Sequence, residues 1–563
     1  MIRKTSRLLT AAATALALLS FPAAAQSEEP AAEPQTAQEI VAAMQPGWNL
    51  GNSFDSMCCG DDETAWGNPR TDAGLLEAVR EQGFNSIRIP VSWGNHTGPA
   101  PDYTIDPEVL DRVEEVVDLA LDEGFYVMIN THHDSWQWIT DMPAQHDAVM
   151  AQYDATWTQI AERFKDHPKE LVFESVNEVG FTGSSGAEED HRFMAELNGS
   201  FHDIVRSSGS ENADRLLVLP TLHTGADQVH MDALAAEIEA LDDPMLAATT
   251  HNYSYWPFSV NIAGVIRYDE SVQAMLEENF QSQVDTFVSK GIPVIIGEYG
   301  LLDGYDVKVE RGEAMKFFEH FSYLARTTGI TTMWWDNGTH FDRFVREWRD
   351  EEQFDYISSG WETRSGTASS DLVFVDASRV RNQSVELNLN GLDFRNLYFG
   401  NSKLKEGRDY TLDGTTLTLK KKLLKRILGD GCEPGTTARL EVRFSAGVPW
   451  TLNVIAAEDP VLADAAGTTA SLVIPAEFNG DRVATMEAFY ADGTFAGPHD
   501  WTSFKEYWDA FRPDHEDGEI ELPARFFENV RDGDPVTLTF HFWSGKTLEY
   551  TVTRTGTAVT GTA

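Results

Sequence analysis

Cysteine is scarce. The 563 residues hold three, Cys58, Cys59 and Cys432, with no metal-ligand spacing among them. The adjacent pair allows a vicinal disulfide or a cross-pairing, and sequence leaves both open. Basic residues are few as well: 43 Lys and Arg stand against 90 Asp and Glu, a net charge of −47. Such a surface repels nucleic acid and anionic membrane, so neither is an expected partner. It suits solubility in an external, salty medium. Beyond the N-terminus there is no apolar run of about 20 residues, which excludes a spanning helix. A long Pro/Thr/Ser tract is missing too, so the join at AAEDPVLADAAG predicts a fixed arrangement of domains instead of a flexible tether.

What is present is a chain able to bury several cores: 42% hydrophobic, 11% aromatic, with 15 Trp. Its start, MIRKTSRLLTAAATALALLSFPAAAQ, joins a basic stretch, a short apolar run and small residues ending at Ala25, the pattern of a secretory leader. The expectation is a leader over 1–25, a linker over 26–38, and a protein exported to the extracellular space or periplasm.

From residue 40 to about 360, short strand-like runs alternate with amphipathic helical ones. The strand-like runs are GWNLGNS, SIRIPVSW, FYVMINTHH, LVFESVNE, LLVLPTLH, MLAATTHNY, PVIIGEYG and TTMWWDNG. Eight such units predict a (β/α)8 TIM barrel over 39–362. After residue 370 the texture becomes strands with NG and DG turns, which predicts two all-β sandwich domains, 371–459 and 466–563. The basic run Lys420–Arg426 reads as a solvated strand edge. In GPHDWTSFKEYWDAFRP two readings stay open: core contacts of a short helix around Phe504 and Trp508, or exposed rings able to stack on a sugar face.

In a barrel of this kind, catalysis belongs to the rim at the strands' C-terminal ends. That rim collects Asn52, Trp93, His132 and His133, Asn177 and Glu178, His223, His251 and Tyr253, Glu298, and Trp335 with Asp336. Two glutamates ending separate strands, among aromatics, suggest glycoside hydrolysis, with one acid/base and one nucleophile or base. Arg88 and Tyr253 suit the task of holding a carboxylate ionised. Glu178, to donate a proton, needs a raised pKa, and Asn177 suits a sugar hydroxyl. On a period of two, Glu174 and Glu178 share one strand face and Asn177 the other, with Glu174 a structural carboxylate lower in the barrel. The same alternation sends His132 and His133 to opposite faces, which argues against their chelating one ion. No metal or cofactor is expected.

The motifs GWNLGN, ETAWGNP, SIRIPVSW, NTHHD, SVNE, HNY, IIGEYG and WWDNG together resemble glycoside hydrolase family 5, in its endoglucanase and xyloglucanase subgroup. The resemblance implies Glu178 as acid/base and Glu298 as nucleophile in a retaining double displacement. It also implies Arg88, His132, Asn177, His251 and Tyr253 around the reacting sugar, with His133 adjacent. Trp335 would be the platform at the cleavage point, and Asn52 and Trp66 would line the glycone side. The last two-fifths of the chain resembles an immunoglobulin-like module followed by a carbohydrate-binding module of family 46. There Trp501 is expected to reach the substrate, if the last domain folds back beside the cleft. The expected partner is a β-glucan, bound by a monomeric endo-β-1,4-glucanase that cleaves internal bonds, xyloglucan included. A mannanase or mixed-linkage glucanase on the same barrel, or a non-catalytic glycan-binding protein, are the alternatives.

Overall fold

The structure is a computed structural model describing residues 35–58, 62–302, 308–429 and 431–563. The expected leader, the linker up to residue 34, and Cys59 lie outside the described residues. Eight parallel strands close on themselves: β1 Gly47–Asn49, β2 Ser86–Ile89, β3 Tyr126–Asn130, β4 Leu171–Glu174, β5 Leu217–Pro220, β6 Leu246–Asn252, β7 Val294–Tyr299 and β8 Thr331–Trp334. β8 pairs back onto β1, and helices connect the strands. The fold is thus the expected (β/α)8 barrel. Its strands are rich in Val, Ile and Leu because both faces are covered, one by the helices and one by the barrel interior.

The stretch read as linker gives way early. A helix begins at Ala37, capped by Thr36, whose hydroxyl accepts the Glu39 amide while the Glu39 carboxylate accepts the Thr36 amide at 2.8 Å. This reciprocal cap starts the helix inside a segment otherwise poor in structure. Its buried face, Ala37, Ile40 and Val41, packs with Met44 on Met128, Val172, Val218, Ile295 and Met333, closing the barrel floor.

Behind the barrel, the strands Thr437–Phe444 and Trp450–Ala457 centre a five-stranded sheet opposed by a four-stranded one. Met315 and Tyr356 of the barrel enter this module's core, and Arg364 holds Glu319 with two bonds of 2.7 Å. The run read as a strand edge is instead a helix, Lys421–Leu428. Leu423, Leu424 and Leu428 recur at helical spacing and are buried, while the cations face out. A further sheet system, built around the strands Val483–Tyr490 and Pro535–Phe542, forms the last module. Its 497–513 segment carries no helix: Phe504–Lys505 is a short strand on Val483–Tyr490.

The last module is bonded to the barrel. Asn261 donates to the Ala484 carbonyl at 3.1 Å and accepts from the Tyr507 amide at 3.1 Å. Lys308 pairs with Glu506 at 3.0 Å. Gly264, at φ +76°, faces the Phe504 ring, which would lie 3.1 Å from any Cβ there.

One barrel carboxyl makes stability depend on pH. Glu237, on the helix Gln228–Leu241, meets Asn198 at 3.4 Å through Oε2, while Oε1 is shut from solvent and has no donor among the described residues. Burial pushes this carboxyl up to about 7, against a lowering by Asn198. A carboxyl whose folded pKa exceeds its unfolded one favours the folded state less as pH rises between the two values. Glu237→Gln is therefore expected to stabilise the barrel by on the order of 3 kcal/mol above pH 7, with no gain near pH 4. Urea unfolding of the barrel at pH 4 and pH 8 checks this, and an equal gain at both would rule out ionisation as the cause.

Candidate active site

The site is organised by Arg88 of β2, which is fully buried. Its Nε donates to Glu174 Oε2 at 2.9 Å, Nη1 to Glu298 Oε1 at 2.7 Å and Asn49 Oδ1 at 3.1 Å, and Nη2 to Asn177 Oδ1 at 2.9 Å. Burial would discourage the charge, but the Glu174 and Glu298 carboxylates outweigh it and hold the guanidinium protonated. Glu174 is indeed the buried carboxylate below the rim, and it also accepts from Asn130 at 2.7 Å. The period-two expectation fails above it. β4 stops at Glu174, so Asn177 turns inward to the same guanidinium instead of to the opposite face.

Glu298 receives a second donor, the Tyr253 hydroxyl, at 2.7 Å from Oε2. Bulges place these groups. The pairing of β6 with β7 slips between Thr250 and His251, and that of β7 with β8 between Ile296 and Tyr299. Such bulges re-aim side chains at a barrel rim.

Glu178 sits beyond β4 with φ +36°, a left-handed backbone that costs a non-glycine residue about 1–3 kcal/mol. Its amide is held by the Thr224 hydroxyl at 3.0 Å. Its Oε1 meets His251 Nδ1 at 2.7 Å, and the same nitrogen is 3.6 Å from Glu298 Oε2. One oxygen of each glutamate and a ring nitrogen of His251 all lie within 4.8 Å of one another. Burial pushes the Glu178 carboxyl up, but the hydrogen bond and charge of His251 overcome it, so the carboxyl lies below its ordinary value. Burial likewise disfavours charge on His251, yet Glu298 and Glu178 raise its pKa. The raised carboxyl pKa expected of Glu178 is therefore absent in the free site, where the hydrogen bond and charge of His251 lower it.

His132 and His133 also depart from the alternation. β3 ends at Asn130, so both rings lie past the strand, in contact at 4.4 Å between centroids. His132 accepts from Asn130 through Nδ1 at 3.1 Å and has Nε2 4.0 Å from Glu298. Burial lowers the pKa of both, that of His133 to about 4, so each is neutral. Asp55, pushed up to about 6 by burial, lies 3.8 Å from His133. With a carboxylate and two imidazoles within 4.8 Å of one another, the faces of a strand no longer argue against joint coordination.

The cleft walls are aromatic. Trp335 lies parallel to His132, with ring centroids 6.0 Å apart, and fills the space where a Cβ on Gly51 would clash at 2.9 Å. Trp66 is 5.7 Å and Trp136 4.5 Å from His133. Trp66 donates to Cys58 Sγ at 3.4 Å. Asn52, at φ +56°, is tied by its carbonyl to Asn68 at 2.9 Å. Trp501 of the last module is 54% exposed and its ring lies 6.3 Å from that of Trp256, which opens the one-turn helix Trp256–Ser259 just after Tyr253. The site-forming residues unremarked in the sequence are Asn49, Asn130, Asp55, Trp136, Thr224 and Trp256. Trp136 and Trp256 had a visible signal, a tryptophan a few residues past a strand-end histidine. The polar ones had none, since each matters only through its partner.

A closed barrel carrying two carboxylates at its rim is matched over residues 49–341 by the family described as Cellulase (glycosyl hydrolase family 5). The chain belongs to glycosyl hydrolase family 5. Residues 367–454 match Carbohydrate binding domain X2 and residues 458–562 a further Carbohydrate binding domain, CBM46. The family 5 chain is 47% identical, over all of its length and 99% of the relative's, to "Endoglucanase B" of Paenibacillus lautus. It is similar to the full-length tri-modular endo-β-1,4-glucanase B of Bacillus halodurans: 45% identity, TM-score 0.91, 94% of this chain and 100% of that one. It is also similar to a xyloglucan-specific endo-β-1,4-glucanase from a metagenomic library, at 31% identity and TM-score 0.52, over 57% of this chain and 97% of that one. The chain is thus a glycoside hydrolase with two carbohydrate-binding modules.

Proposed function

We propose that this protein is a secreted, retaining endo-β-1,4-glucanase that cuts internal bonds of soluble β-glucans, xyloglucan among them. The observation that supports the mechanism is that a carboxylate oxygen of Glu178 and one of Glu298 lie within 4.8 Å of each other. Retention needs carboxyl groups about 5–5.5 Å apart, whereas inversion needs room for a water at about 6.5–9.5 Å. Residues 39–362 would perform the cleavage, with 371–459 and 466–563 as the attached modules. The acidic surface and the basic, apolar leader motif support export, and the protein would work as a monomer.

In this reading Glu298 attacks the anomeric carbon. Arg88 and Tyr253 each donate to one of its oxygens, which fixes the aim of the carboxylate. Glu178 and His251 together hold one proton across a 2.7 Å hydrogen bond. As charge builds on the leaving oxygen, that proton passes through Glu178 to it. Once Glu298 is esterified its negative charge is gone, and with it one cause of His251's affinity for a proton. The emptied pair can then take a proton from the attacking water. Asn177, with its carbonyl on Arg88, would offer its amide nitrogen to a sugar hydroxyl.

Digestion of xyloglucan, carboxymethylcellulose, lichenan and mannan, with NMR of the first-formed anomer, tests this reading. Release of β-anomers and a rapid fall in viscosity on the first two are expected. α-Anomers, or activity confined to mannan, would refute it.

Trp256 and Trp501 continue the aromatic wall from the Tyr253 loop onto the last module, which supports a cleft completed by that module. Trp501→Ala is expected to raise KM on xyloglucan about fivefold, roughly 1 kcal/mol, as for an exposed tryptophan contact. Kinetics on cellotetraose should not change. An unaltered KM on the polymer would take the module out of the cleft.

A further inference from the structure

Lysine is a rare choice for a fully buried position, yet Lys505 of the last module is 0% exposed. It lies on the short strand Phe504–Lys505, opposite Met486. Its ammonium donates to the carbonyls of Thr502 at 2.8 Å, Pro498 at 3.0 Å and His499 at 3.2 Å. An ammonium has three donors and no acceptor, so the match is complete. All three carbonyls belong to the turn that carries Trp501, which stands 54% exposed while Thr502 beside it is buried. His499 in that turn has φ +59°, a conformation needing outside support. The turn therefore gathers three of its carbonyl oxygens onto one buried cation, while its indole is exposed.

We propose that Lys505 is a positioning residue for polymer binding: its ammonium fixes the turn that aims Trp501 across the cleft beside Trp256. This rests on the reading of Trp501 as a substrate contact. A flexible turn would pay the ordering of the ring at each binding event, and a pre-fixed ring does not. Lys505 touches neither substrate nor reacting atoms, and its effect should appear in KM on long substrates alone.

The test compares Lys505→Met, Trp501→Ala and the double variant in the full chain, on xyloglucan and on cellotetraose. Lys505→Met is expected to raise KM on xyloglucan about as much as Trp501→Ala does, near fivefold, with kcat and the cellotetraose kinetics unchanged. The double variant should add little, since the two act as one unit. Lys505→Ala should regain wild-type KM on added ethylammonium, which returns the cation to the three carbonyls. A wild-type KM in Lys505→Met beside a raised one in Trp501→Ala overturns the positioning role alone. A wild-type KM in Trp501→Ala overturns the reading beneath it. If Lys505→Met unfolds the last module, the alanine variant decides: a folded module without amine rescue, or no folded module at all, overturns the inference.

Discussion

Glu298→Ala is expected to lower kcat on β-1,4-glucan by on the order of 10⁴-fold or more, since the proposed mechanism forms its covalent intermediate on this carboxylate. Substrate binding should persist, because the aromatic walls at Trp66, Trp136, Trp335 and Trp256 are untouched. Added azide should then enter the space left by the carboxylate and displace an activated aryl leaving group from the same face, giving an α-glycosyl azide. In Glu178→Ala the outcome reverses: the intermediate still forms from an aryl glycoside, and azide attacks it from the opposite face to give the β-azide. Product stereochemistry thus assigns the two glutamates separately. Identical azides from both variants, or wild-type turnover in either, would defeat the division of roles.

Arg88→Met is expected to have the largest effect on stability, about 3–5 kcal/mol, the cost of leaving a buried charge without its partner. Two carboxylates are stranded by this one change, Glu174 and Glu298, both buried. Arg88→Lys should recover little of it, because one ammonium cannot serve four acceptors on the arms of a planar fork. Urea unfolding followed through the barrel's own transition measures this. A barrel that unfolds at the wild-type midpoint in Arg88→Met would mean the cluster is not held as an ion network. Activity should fall in the same variants, since Glu298 loses one of its two donors.

Alternation of apolar strands with amphipathic helices made the barrel legible, because buried parallel strands carry that pattern in the chain itself. The rim residues were legible as strand-end polar groups, and Arg88, Asn177, Glu178, His251, Tyr253 and Glu298 do converge. Two departures share one cause. The two-residue period was carried past the ends of β3 and β4, where the chain has left the sheet, so Asn177 and the His132–His133 pair were given the wrong faces. The lowered pKa of Glu178 departs from the sequence expectation for another reason. Which of two hydrogen-bonded groups holds a proton depends on a 2.7 Å contact between residues 178 and 251, and no local pattern encodes it. The helix Lys421–Leu428 was readable from its leucine spacing, but the density of charge drew attention to an edge instead.

The bonds from Asn261 to Ala484 and Tyr507, and from Lys308 to Glu506, bear on how such an enzyme searches. A module on a long leash can grip a fibre while its catalytic partner wanders over the surface nearby. In the proposed enzyme, anchorage and scission would share a single orientation, so each productive encounter would require the whole body to align with one glucan strand. That geometry would reward strands free in solution, which can turn to meet the groove, over strands locked in a crystal face.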